Sequence, residues 1–456
     1  MSACPRPAAV ACTFDGATLA IASAELTGAQ RDALVKLASC PNPAYLSAVE
    51  RGRIPHGLAP RIDLFREEGG RMFLPAALAR EVGRVVPLAA PLDARPAFAS
   101  RPLELRRELR LHQRAALGAL LRARGGVCQA PTGSGKSPLI VALVAHYGIP
   151  ALLVAPTKDL VAQSVQTARD WLGIEAAVLA GGKREIGEVL TVATPQGALA
   201  ALELLRGRVG LVILDEAHHA GAATWRDLLA GLPRRRTFGF TATPRQDALW
   251  AAVVAHVGPV THEVPRASLE RAGLLVVPSY RTIETGWTFD YGGPDDWPGL
   301  QTALAEDVGR RAAVADTFAA AVRGQGLGLL LCGRVEYSKL LADELRARGL
   351  RAAALFGAMR PKDRAATLDA ARAGELDVLT ATSLADEGLD VPDLRVLGLA
   401  WPARAEPRLL QRIGRVLRPA EGKAGALVLD FIDAAGPLQN QGRIRARLFA
   451  KHWGRS

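Results

Sequence analysis

The strongest constraint on this 456-residue chain is a rhythm of short apolar runs, each followed by a helix-like stretch. A Gly-rich string, APTGSGKS at 130–137, sits at the end of the first run. Gly126–Ala130, Ala151–Ala155, Val189–Ala193, Leu211–Leu214 and Thr237–Thr241 are apolar and too short for helices. Strands of this kind alternating with helical segments predict a parallel sheet covered on both faces. A second series begins after about Pro278, at Leu327–Cys332, Arg351–Phe356, Leu376–Thr380, Leu394–Ala400 and Ala424–Phe431. The chain is too long for one core, so two consecutive parallel α/β domains are predicted.

The first hundred residues lack that rhythm. Ala8–Phe14 and Ala17–Ala22 flank Asp15-Gly16, a hairpin signal. Thr27–Ala38 reads as an amphipathic helix with Leu34 and Leu37 inward. Prolines at 87, 91, 96 and 102 mark a linker. The expected division is a small α+β accessory domain over 1–100, a first α/β domain over 101–270 and a second over 271–456. From Leu105 an arginine-rich helix is predicted, carrying Arg106, Arg107, Arg110, Arg114, Arg122 and Arg124. Gly286–Pro298, rich in Gly, Trp, Asp and Pro, reads as a surface insertion, and the tail from Gly442 is basic with no acidic residue.

Composition narrows the class of function. A hydrophobic content of 49% with 22% charged residues belongs to a folded globular chain, not a disordered one. The net charge of +12 favours a polyanionic partner. Five scattered cysteines form no metal-ligand spacing and suggest a reducing interior. With no apolar run near the ~18 residues of a membrane span, a cytoplasmic location and no membrane partner are expected.

Three ordered strings carry the chemistry. In the first, Gly133 and Gly135 permit the tight turn whose N–H groups face phosphate oxygens at a helix N-terminus, flanked by Thr132 and Ser134. Lys136 can reach the β- and γ-phosphates of ATP, and the Ser137 hydroxyl can ligate Mg²⁺. Ala130 stands where the strict phosphate-loop pattern has Gly. In the second string, Leu211–Leu214 delivers Asp215 and Glu216 to the carboxyl edge of the sheet. There Asp215 would hold Mg²⁺ and Glu216 would orient and deprotonate the attacking water. In the third, QRIGRVLRP at 411–419, Arg415 and Arg418 share a helix face. They serve either as a solvated basic face or as groups neutralising charge on the γ-phosphate.

Taken in order over roughly 105–432, these strings resemble the superfamily 2 DExH helicases and translocases, closest to the branch of XPB, phage UvsW and restriction-enzyme motors. The resemblance implies two tandem RecA-like parallel-sheet domains beside the small α+β N-terminal domain. It implies that Gln113, in LRLHQ, recognises adenine, and that Gly388 and Asp390, in ATSLADEGLDVP, lie near the nucleotide. It makes Arg415 and Arg418 arginine fingers. His218 of DEAH, Thr241 and Thr243 of TATP, and Gln411 would couple hydrolysis to strand handling. Pro156, Thr157, Thr194, Pro195 and Thr382 would contact nucleic acid. The segments 41–53 and 60–75 are loosely similar to the leading domain of UvsW-like helicases, which implies a duplex- or junction-binding module.

The expected activity is ATP hydrolysis coupled to movement on, or remodelling of, duplex, forked or branched DNA, of the repair or recombination type. Three rivals stay open: a duplex translocase of a restriction or defence assembly that does not part strands, an RNA helicase, and a nucleotide-gated clamp. Protein partners in a larger complex are also open. The tryptophans, including Trp287 and Trp297, are candidates for base stacking, with packing the commoner fate.

Overall fold

The computed structural model describes residues 9–50, 52, 57–131, 133–244, 247–276, 278–382, 394–402 and 425–453. The chain divides into two compact units, one of Met1–Pro131 with Gly135–Val264 and one of Thr132–Ser134 with Pro265–Ser456.

The first unit opens with a small module. Its strands are β1 (Cys12–Phe14), β2 (Thr18–Ala22), β3 (Ser39–Pro41), β4 (Arg61–Asp63), β5 (Arg66–Glu68), β6 (Arg71–Pro75) and β7 (Leu92–Asp93). The expected hairpin forms, with Phe14 opposite Leu19. Asp15 closes its turn by accepting the Ala17 and Thr18 N–H groups at 2.8 and 2.6 Å. The predicted helix runs Gly28–Leu37, because Thr27 and Gln30 cap each other reciprocally at its start. Five of these strands make one sheet in the order β5-β6-β2-β1-β7, and β3 pairs with β4 apart from it.

Seven strands form the first large sheet: β8 (Gly126–Gln129), β9 (Ala151–Val154), β10 (Ala177–Leu179), β11 (Leu190–Ala193), β12 (Leu211–Leu214), β13 (Arg236–Thr241) and β14 (Val260–Glu263). Their order is β10-β11-β9-β12-β13-β8-β14, and every pairing is parallel. Each strand therefore ends at the same edge. The second unit repeats the plan with β15 (Pro278–Glu284), β16 (Leu327–Leu331), β17 (Ala352–Leu355), β18 (Val378–Ala381), β19 (Leu394–Leu399) and β20 (Ala426–Ile432). Their order is β15-β20-β19-β16-β18-β17, again wholly parallel. These are two RecA-like domains with a small N-terminal α/β module. Strands β10, β14 and β15 had no clear signal in the sequence: all lie at sheet edges, where β10 is only three residues long and polar residues interrupt β14 and β15.

One expectation changes, and two segments gain detail. The arginine-rich helix spans only Leu111–Ala123. Arg106 and Arg107 precede it, held by the Arg106 N–H to the Trp171 carbonyl, and Arg124 is its left-handed C-cap at φ 61°. In the surface insertion after Gly286, Trp287, Phe289, Tyr291 and Trp297 pack half-buried against Leu300, Leu304 and Leu438. The basic tail is a helix, Gly436–Trp453, in which Arg445 is buried and bonds both Asp430 carboxylate oxygens at 3.0 and 2.8 Å. No described helix is long and apolar enough to cross a membrane.

Candidate active site

Parallel register puts five of the predicted segments on one edge of the first sheet. The phosphate loop follows β8, Pro156-Thr157 follows β9, Thr194-Pro195 follows β11, Asp215-Glu216 follows β12, and Thr241 ends β13. In the strand order β13 separates β12 from β8, so Thr241 stands between the acids and the loop.

The loop enters the helix Lys136–Tyr147 through two left-handed glycines, Gly133 at φ 85° and Gly135 at φ 82°. At Gly135 the need for glycine is doubled, because a Cβ would lie 2.4 Å from Gln113 Nε2. Gln113 is buried, accepting the Arg110 N–H at 2.8 Å and donating to the Gly135 carbonyl at 3.0 Å. One amide hydrogen and one oxygen lone pair are left over, the complement that an adenine edge needs. A Gly135→Ala variant should bind ATP roughly 5–30-fold more weakly, since a left-handed Ala costs about 1–2 kcal/mol before the clash is counted. Equilibrium titration with a fluorescent ATP analogue measures it.

Lys136 lies among acceptors. Its Nζ donates to the Ala130 carbonyl at 3.4 Å and stands 3.9 Å from Glu216 Oε1. Asp215 is buried; its N–H extends the ladder to the Val154 carbonyl at 2.9 Å and its Oδ1 accepts the Glu216 N–H at 3.0 Å. Burial, reinforced by the neighbouring Glu216 carboxylate, pushes the Asp215 carboxyl well above its ordinary pKa, and Lys136 offsets part of the rise.

Glu216 has φ 49°, the left-handed region that non-glycine residues avoid. It begins the single turn Ala217–Gly221. Its Oε2 is buried, 3.4 Å from His218 Nδ1, and makes no hydrogen bond among the described residues. A buried carboxylate oxygen without a partner is expensive unless a ligand or water satisfies it. That orphan oxygen, the glycine turn and the buried Asp215 fit a Mg²⁺–ATP complex, with Ser137 and Asp215 as the residues that would hold the metal. His218 Nδ1 pairs with Thr241 Oγ1 at 2.9 Å, and that hydroxyl also accepts the Thr243 N–H at 3.2 Å. His218, two residues past Glu216, is thereby tied to the TATP segment. Thr243 Oγ1 is a further buried hydroxyl without a partner among the described residues.

Thr157 and Thr194 are helix N-caps, accepting the Leu160 and Gly197 N–H groups at 3.3 and 3.2 Å. Pro156 is half-buried, and buried Pro195 occupies the first turn of its helix. In the second unit Thr382 follows β18, its N–H on the Leu355 carbonyl at 3.3 Å and its buried Oγ1 without a partner among the described residues. Thr132, Gly388, Asp390, Gln411, Arg415 and Arg418 lie outside the described residues.

Sequence reading missed how the acidic turn is held. Arg226 donates to the Gly221 carbonyl at 2.9 Å, and a Cβ on Gly221 would lie 2.7 Å from the Leu249 carbonyl. An arginine five residues past a turn carries no recognisable pattern, so only the folded chain exposes the contact.

Residues 106–246 match the family described as type III restriction enzyme, res subunit, and residues 317–420 match the helicase conserved C-terminal domain. With the two RecA-like sheets, these matches bear out the resemblance of the chain to the superfamily 2 helicases. Within that class it resembles the XPB, phage-helicase and restriction-motor branch. It is 25% identical over 336 residues to the putative helicase 22 of Sulfolobus islandicus filamentous virus, covering 67% of this chain and 60% of the viral protein. It is 24% identical over 355 residues to the DNA 3'-5' translocase XPB2 of Sulfurisphaera tokodaii, covering 70% of this chain and 80% of that protein. The chain thus spans about 60% of the viral relative's length. In fold it is like the ATP-dependent Type ISP restriction-modification enzyme LlaBIII bound to DNA, with a TM-score of 0.58 and 14% identity over 78% of this chain and 30% of that one.

Proposed function

We propose that this chain is an ATP-dependent DNA helicase or translocase that remodels duplex, forked or branched DNA, of the repair or recombination type. The observation that carries the proposal is the assembly on one sheet edge of Lys136, Asp215 and Glu216, with His218 bonded to Thr241 beside them. A passive nucleotide clamp has no use for a carboxylate held on a left-handed backbone beside Lys136.

In this reading the glycine turn and Lys136 cradle the phosphates, and Gln113 senses the base. Glu216 Oε2 takes the proton of the attacking water, while Lys136 stands 3.9 Å from the other oxygen. Bound Mg²⁺ supplies neutralisation of the phosphate charge. His218 reports the state of Glu216 to Thr241, from which the chain runs into the loop at Thr243. Arg415 and Arg418 are proposed to complete the site as arginine fingers, with Gly388 and Asp390 near the nucleotide and Gln411 in the coupling set. Pro156, Thr157, Thr194, Pro195 and Thr382 are proposed to follow a nucleic-acid strand by its phosphates and sugars, without reading sequence.

ATP turnover measured alone, with blunt duplex, with forked DNA and with single-stranded RNA tests this. Turnover should rise with DNA, most with the fork, and the stimulation should weaken with salt. For six to ten phosphate contacts, affinity should fall roughly 10³–10⁵-fold between about 50 and 200 mM salt. A rate indifferent to every nucleic acid overturns the motor reading, and stronger stimulation by RNA redirects it to an RNA substrate. The match to a restriction-enzyme subunit favours a second reading, a duplex translocase that does not part strands. Strand displacement on a labelled fork separates the two.

A further inference from the structure

The left-handed Glu216 needs support from outside its own turn. Such a conformation persists only where the surroundings over-determine it. The support is the helix Leu249–Val257, which follows the TATP segment. Its first residue abuts Gly221, at the far end of the Glu216 turn, so closely that no side chain fits between them. Val253 and Val257, one turn apart, pack in the motor core with Ala217 and Ala220 of that same turn.

The helix has a second buried face. Ala252 and Ala255 lie in the core of the N-terminal module, with Leu19, Ile21, Leu34 and Cys40. The module is also fixed at the other end of the helix. There the fully buried Arg234 donates its backbone N–H to the Asp15 carbonyl at 3.1 Å and a guanidinium N–H to the His256 carbonyl at 3.3 Å. Gly16 lies against the Arg234 carbonyl, where a Cβ would approach to 1.7 Å. One helix is therefore clamped between the module and the hydrolytic turn, and small alanines keep the module side close.

We infer that the N-terminal module is a positioning element for ATP hydrolysis, with Ala252 as its contact residue: it presses the helix Leu249–Val257 onto Gly221 and so holds Glu216 in its working conformation. This rests on the motor reading above. A nucleic acid bound to the module would then act on the hydrolytic step rather than on nucleotide binding, because the phosphate loop lies on the far side of β13 from the Glu216 turn.

The test is steady-state ATP turnover and ATP-analogue binding for Ala252→Leu and Gly221→Ala in the full chain, with thermal unfolding alongside. Ala252→Leu overpacks the module side and Gly221→Ala pushes on the same contact from the turn. Each should lower kcat at least about fivefold while KM and analogue affinity stay at wild-type values. Leu92→Ser, on the exposed edge strand β7 of the module, should leave kcat unchanged. Wild-type kcat in Ala252→Leu overturns the inference, as does a parallel loss of turnover and analogue binding. If Ala252→Leu does not fold, Gly221→Ala decides by the same criteria. A wild-type chain without turnover sinks the motor reading and this inference together, whereas an active wild type with an indifferent variant sinks this one alone.

Discussion

Glu216→Gln should abolish steady-state ATP turnover, by about 10²–10⁴-fold, and leave ATP binding intact or tighter. The substitution keeps the shape of the side chain and removes only the basic oxygen. It also removes a negative charge beside the place where phosphates would lie, which is why binding does not suffer. Lys136→Ala should differ in kind. It withdraws the cation that faces both the Ala130 carbonyl and Glu216, so turnover and binding fall together, turnover by about 10²–10³-fold. A phosphate-release assay paired with analogue titration distinguishes the two patterns. Near-normal turnover in the Glu216 variant would mean that another group activates water, and the orphan Oε2 would need a different explanation.

Arg310→Met should destabilise the second unit by about 3–5 kcal/mol, which for a domain of this size is roughly 6–20 °C in its unfolding midpoint. Arg310 is buried and meets Asp433 through two bonds of 2.6 and 2.9 Å. It also donates to the Tyr337 hydroxyl at 2.5 Å and to the Ala400 carbonyl at 3.0 Å. Thr285 donates to the same Asp433 oxygen that Arg310 Nε reaches. Truncating the arginine strands a carboxylate in the interior, which costs far more than the pair itself contributes. The double variant Arg310→Met with Asp433→Leu should therefore regain a large part of the loss. A midpoint in Arg310→Met within about 2 °C of wild type would show that water reaches Asp433 and satisfies it. Because Arg310 grips the end of β19 at Ala400, the same variant tests whether that strand end keeps its place without the network.

How much of this was legible beforehand depended on the range of the interaction. The phosphate loop, the acidic pair and the coupling threonine are local strings, and each string lies at the end of an apolar run whose burial fixes its direction. Parallel pairing then brought Lys136 and Glu216 to 3.9 Å and His218 to 2.9 Å from Thr241. The assignment of Gln113 came from resemblance alone, and the structure adds that its amide is tied to the loop it was expected to assist. The packing of the insertion was not legible, because Gly, Pro and Asp around Trp287 signal only a surface segment. The aromatic rings among them nevertheless find apolar partners as distant as Leu438. The charge of the tail was legible, but charge read along the sequence says nothing about Asp430 beneath Arg445.

The sequence by itself determined the two parallel sheets, the order of their chemistry and the edge at which that chemistry collects, because strand period, apolar content and glycine turns act over a few residues. Only the tertiary structure decided what holds those residues in place: Arg226 on Gly221, the module against Ala252, and Arg310 on Asp433. The reason is physical. Burial and hydrogen bonding join residues by distance in space, and positions 310 and 433, or 40 and 252, are neighbours only after the chain has paid its entropy and folded.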